Sequence, residues 1–157
     1  MQVKQFLKQL KTPLNDVVTS TEIPLVFKKI PEIREVSFEK YTYDSDSFSV
    51  QKKLHPEIQP LRLPKETEEV FAKAVKVAKE TSLMEVVHIN EDIRQFEAVA
   101  TTPLMKFKDD IVVKVEPDEK GSVVHMRSKS RLGKSDLGKN AERIQSFFSV
   151  LKKELEL

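Results

Sequence analysis

The strongest hydrophobic pattern in the chain has the period of a helix and spans residues 65–81. Its apolar positions fall at i, i+1, i+4, i+7 and i+8, and they are Val70, Phe71, Ala74, Val77 and Ala78. Glutamates occupy the start of this stretch and lysines its end, the order that the helix dipole favours. We therefore predict a helix over 65–81 with one face packed on a core.

Two further stretches have the same period. Residues 140–155 predict a C-terminal helix that has Asn140 as its N-cap. Residues 1–12 predict a short amphipathic helix with lysines along its polar face, ended by Pro13. That basic face suits an anionic membrane surface, whereas packing on its own domain is the commoner arrangement. We favour packing and keep peripheral membrane contact through residues 1–12 as the alternative.

Between the two longer helices, polar and apolar residues alternate with the period of a strand. The pattern predicts a short edge strand followed later by four longer strands, at 58–63, 83–89, 94–104, 107–116 and 123–130. In the strand at 107–116, Asp109 shares the inward face with Ile111. In the last strand, Ser128 and Ser130 point inward, while Arg127 points outward toward solvent.

The order of these elements predicts the fold class. A strand, a helix, four antiparallel strands and a helix form an α+β two-layer domain, with a β-α-β4-α core that resembles a TATA-binding-protein half-repeat or a helix-grip fold. We place this single domain at 58–157 and assign 1–57 to an N-terminal extension that packs on it. Within the extension, alternation over 38–50 favours a hairpin that turns at residues 44–46.

The densest cluster of chemically special residues follows the last predicted strand, where residues 126–144 hold two of the three glycines of the chain. A glycine-bearing turn at a helix N-terminus, flanked by arginines and serines, has the groups that hold a phosphate or a carboxylate. With two aspartates of the neighbouring strand, the candidate ligand-binding residues are Arg127, Ser128, Ser130, Arg131, Gly133, Ser135, Asp136, Gly138, Asn140, Arg143, Asp109 and Asp110.

An internal brace is the alternative role for these residues. Antiparallel pairing of the last two strands brings Asp109 and Asp110 near Arg127 and Ser128. Carboxylates beside the arginines compete with a bound anion. We therefore favour the brace, and expect Asp109 to pair with the inward serines or with Arg131.

The run from Arg127 to Arg143 has the pattern R-S-x-S-R-x-G-x-S-D-x-G-x-N-x-x-R, which is long enough to be specific. Together with the preceding Phe107-Lys-Asp-Asp-Ile-Val-Val113, it resembles the bacterial and plastid family known as domain of unknown function 1499. The resemblance covers residues 60–155 and implies no activity.

Composition excludes several kinds of site. The absence of cysteine removes disulfides, thiolate metal sites and cysteine nucleophiles, and it fits a cytoplasmic location. The three histidines have no metal-ligand spacing, so we predict no metal and no cofactor. A net charge of +2 is too small to argue for nucleic acid on its own, and the basic C-terminal stretch has no interleaved aromatic residues, so we predict no nucleic-acid partner.

These observations favour a non-enzymatic binding or accessory domain that uses the Arg127–Arg143 loop. Its expected partner is another protein or a small anionic or amphiphilic ligand. The alternative is a hydrolase or isomerase with a site centred on Asp109. A buried carboxylate with a raised pKa in a pocket open to solvent would favour the enzyme, and full burial against an arginine would argue against it.

Overall fold

The computed structural model describes residues 2–157, with the side chains of residues 6, 9 and 10 left out of that description. The helices are α1 Val3–Lys11, α2 Lys29–Arg34, α3 Asp46–Leu54, α4 Thr67–Glu80 and α5 Lys139–Glu154, with a 3-10 helix at Phe38–Tyr41. The strands are β1 Asp16–Val18, β2 Leu61–Leu63, β3 Met84–Asn90, β4 Gln95–Thr101, β5 Lys108–Asp118 and β6 Gly121–Ser130.

All six strands belong to one antiparallel sheet, and the sheet is open. Its order is β1-β6-β5-β4-β3, and β2 pairs with the other half of the same edge of β6 that β1 occupies. The α+β class and the β-α-β4-α core predicted from the sequence are confirmed, from β2 through α5. Residues 1–57, predicted to pack on this domain as an extension, contribute β1 to the sheet itself.

Helices α4 and α5 cover one face of the sheet, which we call the helix face. The alternating residues of the strands meet the apolar stripes of both helices there, as the pattern predicted. The fully buried strand residues of this face include Phe96 and Ala98 of β4, Ile111 and Val113 of β5, and Val124 and Met126 of β6. The aromatic ring of Phe96 contacts the rings of both Phe71 and Phe147 in this core. A filled apolar core therefore joins the helices to the sheet.

Residues 25–41 cover the opposite face, which we call the segment face. A second, smaller core lies there, in which Leu25, Phe27, Ile30 and Tyr41 pack on Val112 of β5. This segment contains only the short helix α2 and one 3-10 turn. The domain thus has three layers, where the sequence predicted two layers plus an extension.

The hairpin predicted over 38–50 is wrong. Local side-chain to backbone bonds turn the chain into helical structure instead: the Ser37 hydroxyl accepts from the backbone N–H of Glu39, and Asp44 accepts from that of Asp46 at the start of α3. The alternation in the sequence does not correspond to a buried face, since Phe38 is 57% exposed. Short serine and aspartate motifs outweighed a weak strand pattern here.

Helix α1 ends two residues before Pro13, as predicted. Its Val3 and Leu7 side chains are exposed, while Phe6 and Leu10, the other half of the predicted apolar stripe, lie outside the described side chains. Among the described residues, no helix is both long and apolar enough to cross a membrane.

Candidate functional site

The pairing of β5 with β6 divides the predicted site between the two faces of the sheet. Asp109 lies opposite Ser130, and Asp110 lies opposite Lys129. Because neighbouring strand residues point to opposite faces, Asp109 joins the serines under α5, whereas Asp110 and Arg127 lie under residues 25–41. The predicted single cluster is therefore two clusters, back to back.

On the helix face, Asp109 forms an ion pair with Arg143. The Arg143 guanidinium lies 2.8 Å from the Asp109 carboxylate, which is 2% exposed as a residue. Burial raises the pKa of Asp109, and this effect exceeds the opposite influence of Arg143 and of the Ser130 hydroxyl. The expected pairing with a serine is present, but the arginine is Arg143 of α5 and not Arg131.

Asn140 is the centre of this helix-face cluster. Its carbonyl oxygen accepts from the Ser128 hydroxyl at 2.6 Å and from Arg143 at 3.0 Å, and its amide nitrogen donates to Ser130 at 2.9 Å and to Asp136 at 2.7 Å. The side chain is completely buried. Asn140 therefore ties the end of β6 to the first turn of α5.

The N-cap of α5 is Gly138, so the prediction that Asn140 would cap this helix is wrong. Asp136 binds the free N–H groups instead, because its carboxylate accepts from the backbone of Gly138 at 2.8 Å and of Asn140 at 3.3 Å. Gly133 and Gly138 both have positive φ, 87° and 83°, the conformation in which a side chain is strained. The two glycines therefore let the backbone of the loop turn without this strain.

On the segment face, Arg127 is buried and makes four hydrogen bonds. Its guanidinium donates to both oxygens of Asp16, at 2.9 and 2.8 Å, and to the backbone carbonyls of Leu25 and Tyr41. It is 2% exposed, so the outward, solvated position predicted for it is wrong. Leu25 and Tyr41, which accept these bonds, lie in residues 25–41, and the weak alternation of that segment in the sequence did not predict where it packs.

On the same face, Arg131 pairs with Asp110. Arg131 donates to both carboxylate oxygens of Asp110, the shortest contact being 2.7 Å, and the Tyr41 hydroxyl donates to the same carboxylate at 2.6 Å. Arg34 of α2 donates to the Tyr41 hydroxyl. Burial and the hydrogen bond to Asp110 raise the pKa of Tyr41 to about 12.

Glu97 is a buried charge that the sequence reasoning missed. Its carboxylate accepts from the backbone N–H groups of Lys28, Lys29 and Ile30 at the start of α2, with the closest contacts at 2.9 and 3.0 Å, and it is 1% exposed. A signal was present in the run Ile111-Val112-Val113, because an unbroken apolar run in a strand is typical of a sheet covered on both faces.

The arginines of the predicted site are thus each bound to an aspartate: Arg127 to Asp16, Arg131 to Asp110, and Arg143 to Asp109. The described residues hold no cluster of three or more potential metal ligands. In the loop that joins β6 to α5, the Gly133 carbonyl accepts from the Asn15 side chain and the Ser135 hydroxyl accepts from the backbone N–H of Leu137. Chemically, the buried part of the motif holds the protein's own backbone and side chains together.

A model of the protein family of unknown function DUF1499 matches residues 15–151. The chain belongs to this family. The match begins ahead of β1 and includes residues 25–41 as well as the C-terminal motif, so it extends beyond the stretch on which the resemblance rested. Among curated proteins, none matches the chain significantly.

One end of the DUF1499 domain exposes apolar side chains next to this motif. The connection between β4 and β5 lies beside the connection between β6 and α5, since the Arg131 N–H donates to the Lys108 carbonyl at 3.1 Å. The turn before β3 adjoins them, through a bond from Thr101 to the carbonyl of Leu83. We define the loop surface by the exposed apolar residues of these connections, which are Leu83, Leu104, Met105, Phe107, Leu132 and Leu137.

Lysines accompany these apolar side chains. Lys106, Lys108, Lys134 and Lys139 are all exposed at this end. Residues 101–108 contain no acidic residue. The one acidic residue of 131–139 is Asp136, and its carboxylate accepts hydrogen bonds from the backbone N–H groups at the start of α5. The loop surface is therefore both apolar and basic.

Proposed function

We propose that this chain is a non-enzymatic binding domain that docks on an anionic lipid surface through the loop surface. The observation that carries the proposal is the exposure of Leu104 and Leu132, at 89% and 71%, on two adjacent connections. Apolar side chains held this far out in water lower the free energy of the protein only when something covers them.

The lysines favour an anionic partner. Each basic residue near an anionic bilayer contributes about 1 kcal/mol of binding free energy, and four exposed lysines surround the loop surface. Leu, Met and Phe side chains beside lysines suit the boundary between head groups and acyl chains. Protruding, separate side chains insert there without the shape complementarity that a protein interface requires.

Helix α1 adds to this end of the molecule, because the residues that follow it contact the connection between β6 and α5. Asn15 donates to the Gly133 carbonyl, and the Asp136 N–H donates to the Leu14 carbonyl. Its exposed Val3 and Leu7 alternate with Lys4, Lys8 and Lys11. Peripheral membrane contact through residues 1–12, kept as an alternative from the sequence, thus becomes an auxiliary part of the proposed docking surface. The cytoplasmic location stays a prediction.

The arginines of the motif have a supporting role in this proposal. A small anion would have to displace an aspartate from Arg127, Arg131 or Arg143, and each of these pairs has a contact of 2.7 or 2.8 Å. The motif instead fixes the connection at 131–138 to the ends of β5 and β6. It presents Leu132 and Leu137 without contacting the partner.

An enzyme centred on Asp109 has less support. A catalytic carboxylate must be reached by its substrate, and Asp109 is 2% exposed and held by Arg143. Its raised pKa is explained by burial within the fold. The condition under which we would abandon this alternative, full burial against an arginine, describes the Asp109 environment.

Vesicle co-sedimentation tests the proposal. We expect the protein to bind vesicles that contain phosphatidylserine, to bind pure phosphatidylcholine vesicles much less, and to be released by salt, because screening weakens exposed charges. Replacing both Leu104 and Met105 with serine should lower the partition coefficient by about tenfold or more, since two partly buried side chains contribute more than 1.4 kcal/mol.

A matched control is Ile33→Ser, which removes a 55% exposed apolar side chain on the segment face. We expect it to bind vesicles like the wild type. Equal loss in both variants, or no sedimentation of the wild type with either vesicle, would contradict the proposal. In the second case, a concentration-dependent rise in mass on ultracentrifugation would assign the loop surface to contact between copies of the chain.

A further inference from the structure

A separate pocket opens on the segment face, away from the loop surface. It encloses about 560 Å³, within the range of small-molecule sites. Residues 18–27 form one side and residues 38–45 the other, and Arg127 of β6 closes its base. The side chains that shape its chemistry are Ile23, Val26, Phe38, Tyr41, Tyr43 and Arg127.

Aromatic rings line the inner part of this pocket. Arg127 lies between two of them, with its guanidinium carbon 4.8 Å from the centroid of Phe27 and 5.6 Å from that of Tyr43. Phe27 in turn contacts Tyr41, with ring centroids 4.8 Å apart. At the mouth, Phe38 and Val26 are 57% and 48% exposed. The walls therefore offer apolar and aromatic contact to a ligand, and the mouth is accessible.

Two polar groups of the pocket lack partners within the described part of the chain. The Tyr43 hydroxyl is buried and makes no hydrogen bond, which costs about 1–3 kcal/mol for a group of this kind. Arg127 has five N–H groups and makes four hydrogen bonds, so one N–H of Nη1 has no acceptor. Both groups are donors that an oxygen atom of a ligand would satisfy.

The charges around the pocket favour an uncharged ligand. Asp16 offsets the charge of Arg127, and Glu39 is a further lining carboxylate. Burial raises the pKa of Tyr43 to about 12, with a smaller contribution from Asp16. A carboxylate or phosphate entering here meets no cation without a counter-charge, whereas a carbonyl oxygen accepts hydrogen bonds without adding charge.

We propose that this pocket is a binding site for an uncharged, mostly aromatic or apolar small molecule that carries a carbonyl oxygen, of the class of aryl ketones, with Tyr43 and Arg127 as its hydrogen-bond donors. The site is independent of the loop surface and of membrane docking. It uses Arg127 in two ways, as the anchor of residues 25–41 and as one wall of the cavity that they form.

The tyrosines make the pocket easy to observe. The chain contains two tyrosines and no tryptophan, and both tyrosines line this pocket. With carbon-13 labelled tyrosine, nuclear magnetic resonance therefore reports only from here. On titration with benzophenone, an uncharged aryl ketone, we expect saturable shifts of the Tyr43 ring signals. With para-benzoylbenzoate, the same molecule bearing a carboxylate, we expect at least tenfold weaker binding.

Tyr43→Phe separates binding from folding. It removes the unpaired hydroxyl, so we expect the melting temperature to stay the same or rise, while the affinity for benzophenone falls about five- to tenfold. Leu104→Ser, outside the pocket, should leave the affinity unchanged. The proposal is overturned if the tyrosine signals do not shift saturably up to the solubility limit of benzophenone, if para-benzoylbenzoate binds more tightly, or if Tyr43→Phe binds benzophenone as well as the wild type.

Discussion

The two faces of the sheet are covered by different kinds of chain, and this difference explains why the buried charged side chains that bind backbone groups, Glu97 and Arg127, lie on one face. On the helix face, α4 and α5 contribute apolar stripes to a core whose strand residues are alanine, valine, leucine, isoleucine, methionine and phenylalanine. On the segment face, the irregular residues 25–41 are held by charged side chains of the strands, with Glu97 and Arg127 each bonded to several backbone groups.

A physical rule accounts for the contrast. The interior of a helix satisfies its own backbone N–H and carbonyl groups, so a sheet needs only apolar side chains to bind it. An irregular segment brings unpaired backbone groups into a buried layer, where each costs free energy unless it finds a partner. Glu97 supplies acceptors to three N–H groups, and Arg127 supplies donors to two carbonyls, which makes the second cover possible.

The largest expected effect comes from Arg127→Ala on the segment face. The change leaves the buried carboxylate of Asp16 without its bidentate partner and the carbonyls of Leu25 and Tyr41 without donors. Breaking a buried pair of this kind costs about 3–5 kcal/mol. Denaturant unfolding monitored by circular dichroism should show this loss in the free energy of unfolding.

Lys129→Ala is the matched control, because Lys129 approaches the same Asp16 carboxylate at 3.9 Å from a more exposed position. We expect a loss of about 0–1 kcal/mol. A cost for Lys129→Ala equal to that for Arg127→Ala would show that general charge, and not the buried anchor, stabilises this face.

An intermediate effect is expected for Asn140→Ala on the helix face. The substitution breaks the bonds to Ser128, Ser130 and Asp136, but it leaves the apolar core beneath α4 and α5 intact. Loss of buried neutral hydrogen bonds predicts a cost of about 1–3 kcal/mol in thermal or chemical unfolding. Gln145→Ala, on the exposed side of α5, should change stability by less than about 0.5 kcal/mol, and a smaller effect for Asn140→Ala than for Gln145→Ala would contradict the account.

The smallest effect is a pH dependence at Asp109. Burial raises the pKa of Asp109 in the folded protein, so the unfolded chain loses this proton first as pH increases. The free energy of unfolding of the wild type therefore falls until the pH has passed the pKa of the folded state. Asp109→Asn lacks this titration. We expect the variant to gain stability relative to the wild type between about pH 3 and pH 7, measured as the difference in unfolding free energy. A fall in that difference over the same range would contradict the pKa direction.

The sequence predicted the helix face well because that face depends on periodic patterns. The stripe of α4 and the alternation through Ile111, Val113, Val124 and Met126 placed these residues in one core, and the structure buries all of them there. The same alternation placed Asp109 under α5 and Arg127 on the opposite side of the sheet, as observed.

The segment face could not be predicted in the same way. Residues 25–41 have no helical period and only weak alternation, and their position depends on contacts with residues more than 60 positions later, such as the bonds from Lys29 and Ile30 to Glu97. Asn140 shows the same limit on a smaller scale: its residue type fits an N-cap, yet the paired serines of β6 draw its side chain inward. Local propensity identified polar residues of importance but not the partners that they bind.

Hydrogen exchange of the amides at residues 28–30 in a Glu97 variant tests most directly whether the sheet holds residues 25–41 through their backbone. In Glu97→Gln, the amides of Lys28, Lys29 and Ile30 lose their charged acceptor. We expect these amides to exchange about five- to thirtyfold faster than in the wild type, since one or two kcal/mol are lost locally, while the amides of α5 change much less. Unchanged protection of residues 28–30, or an acceleration no larger than that of α5, would contradict the account.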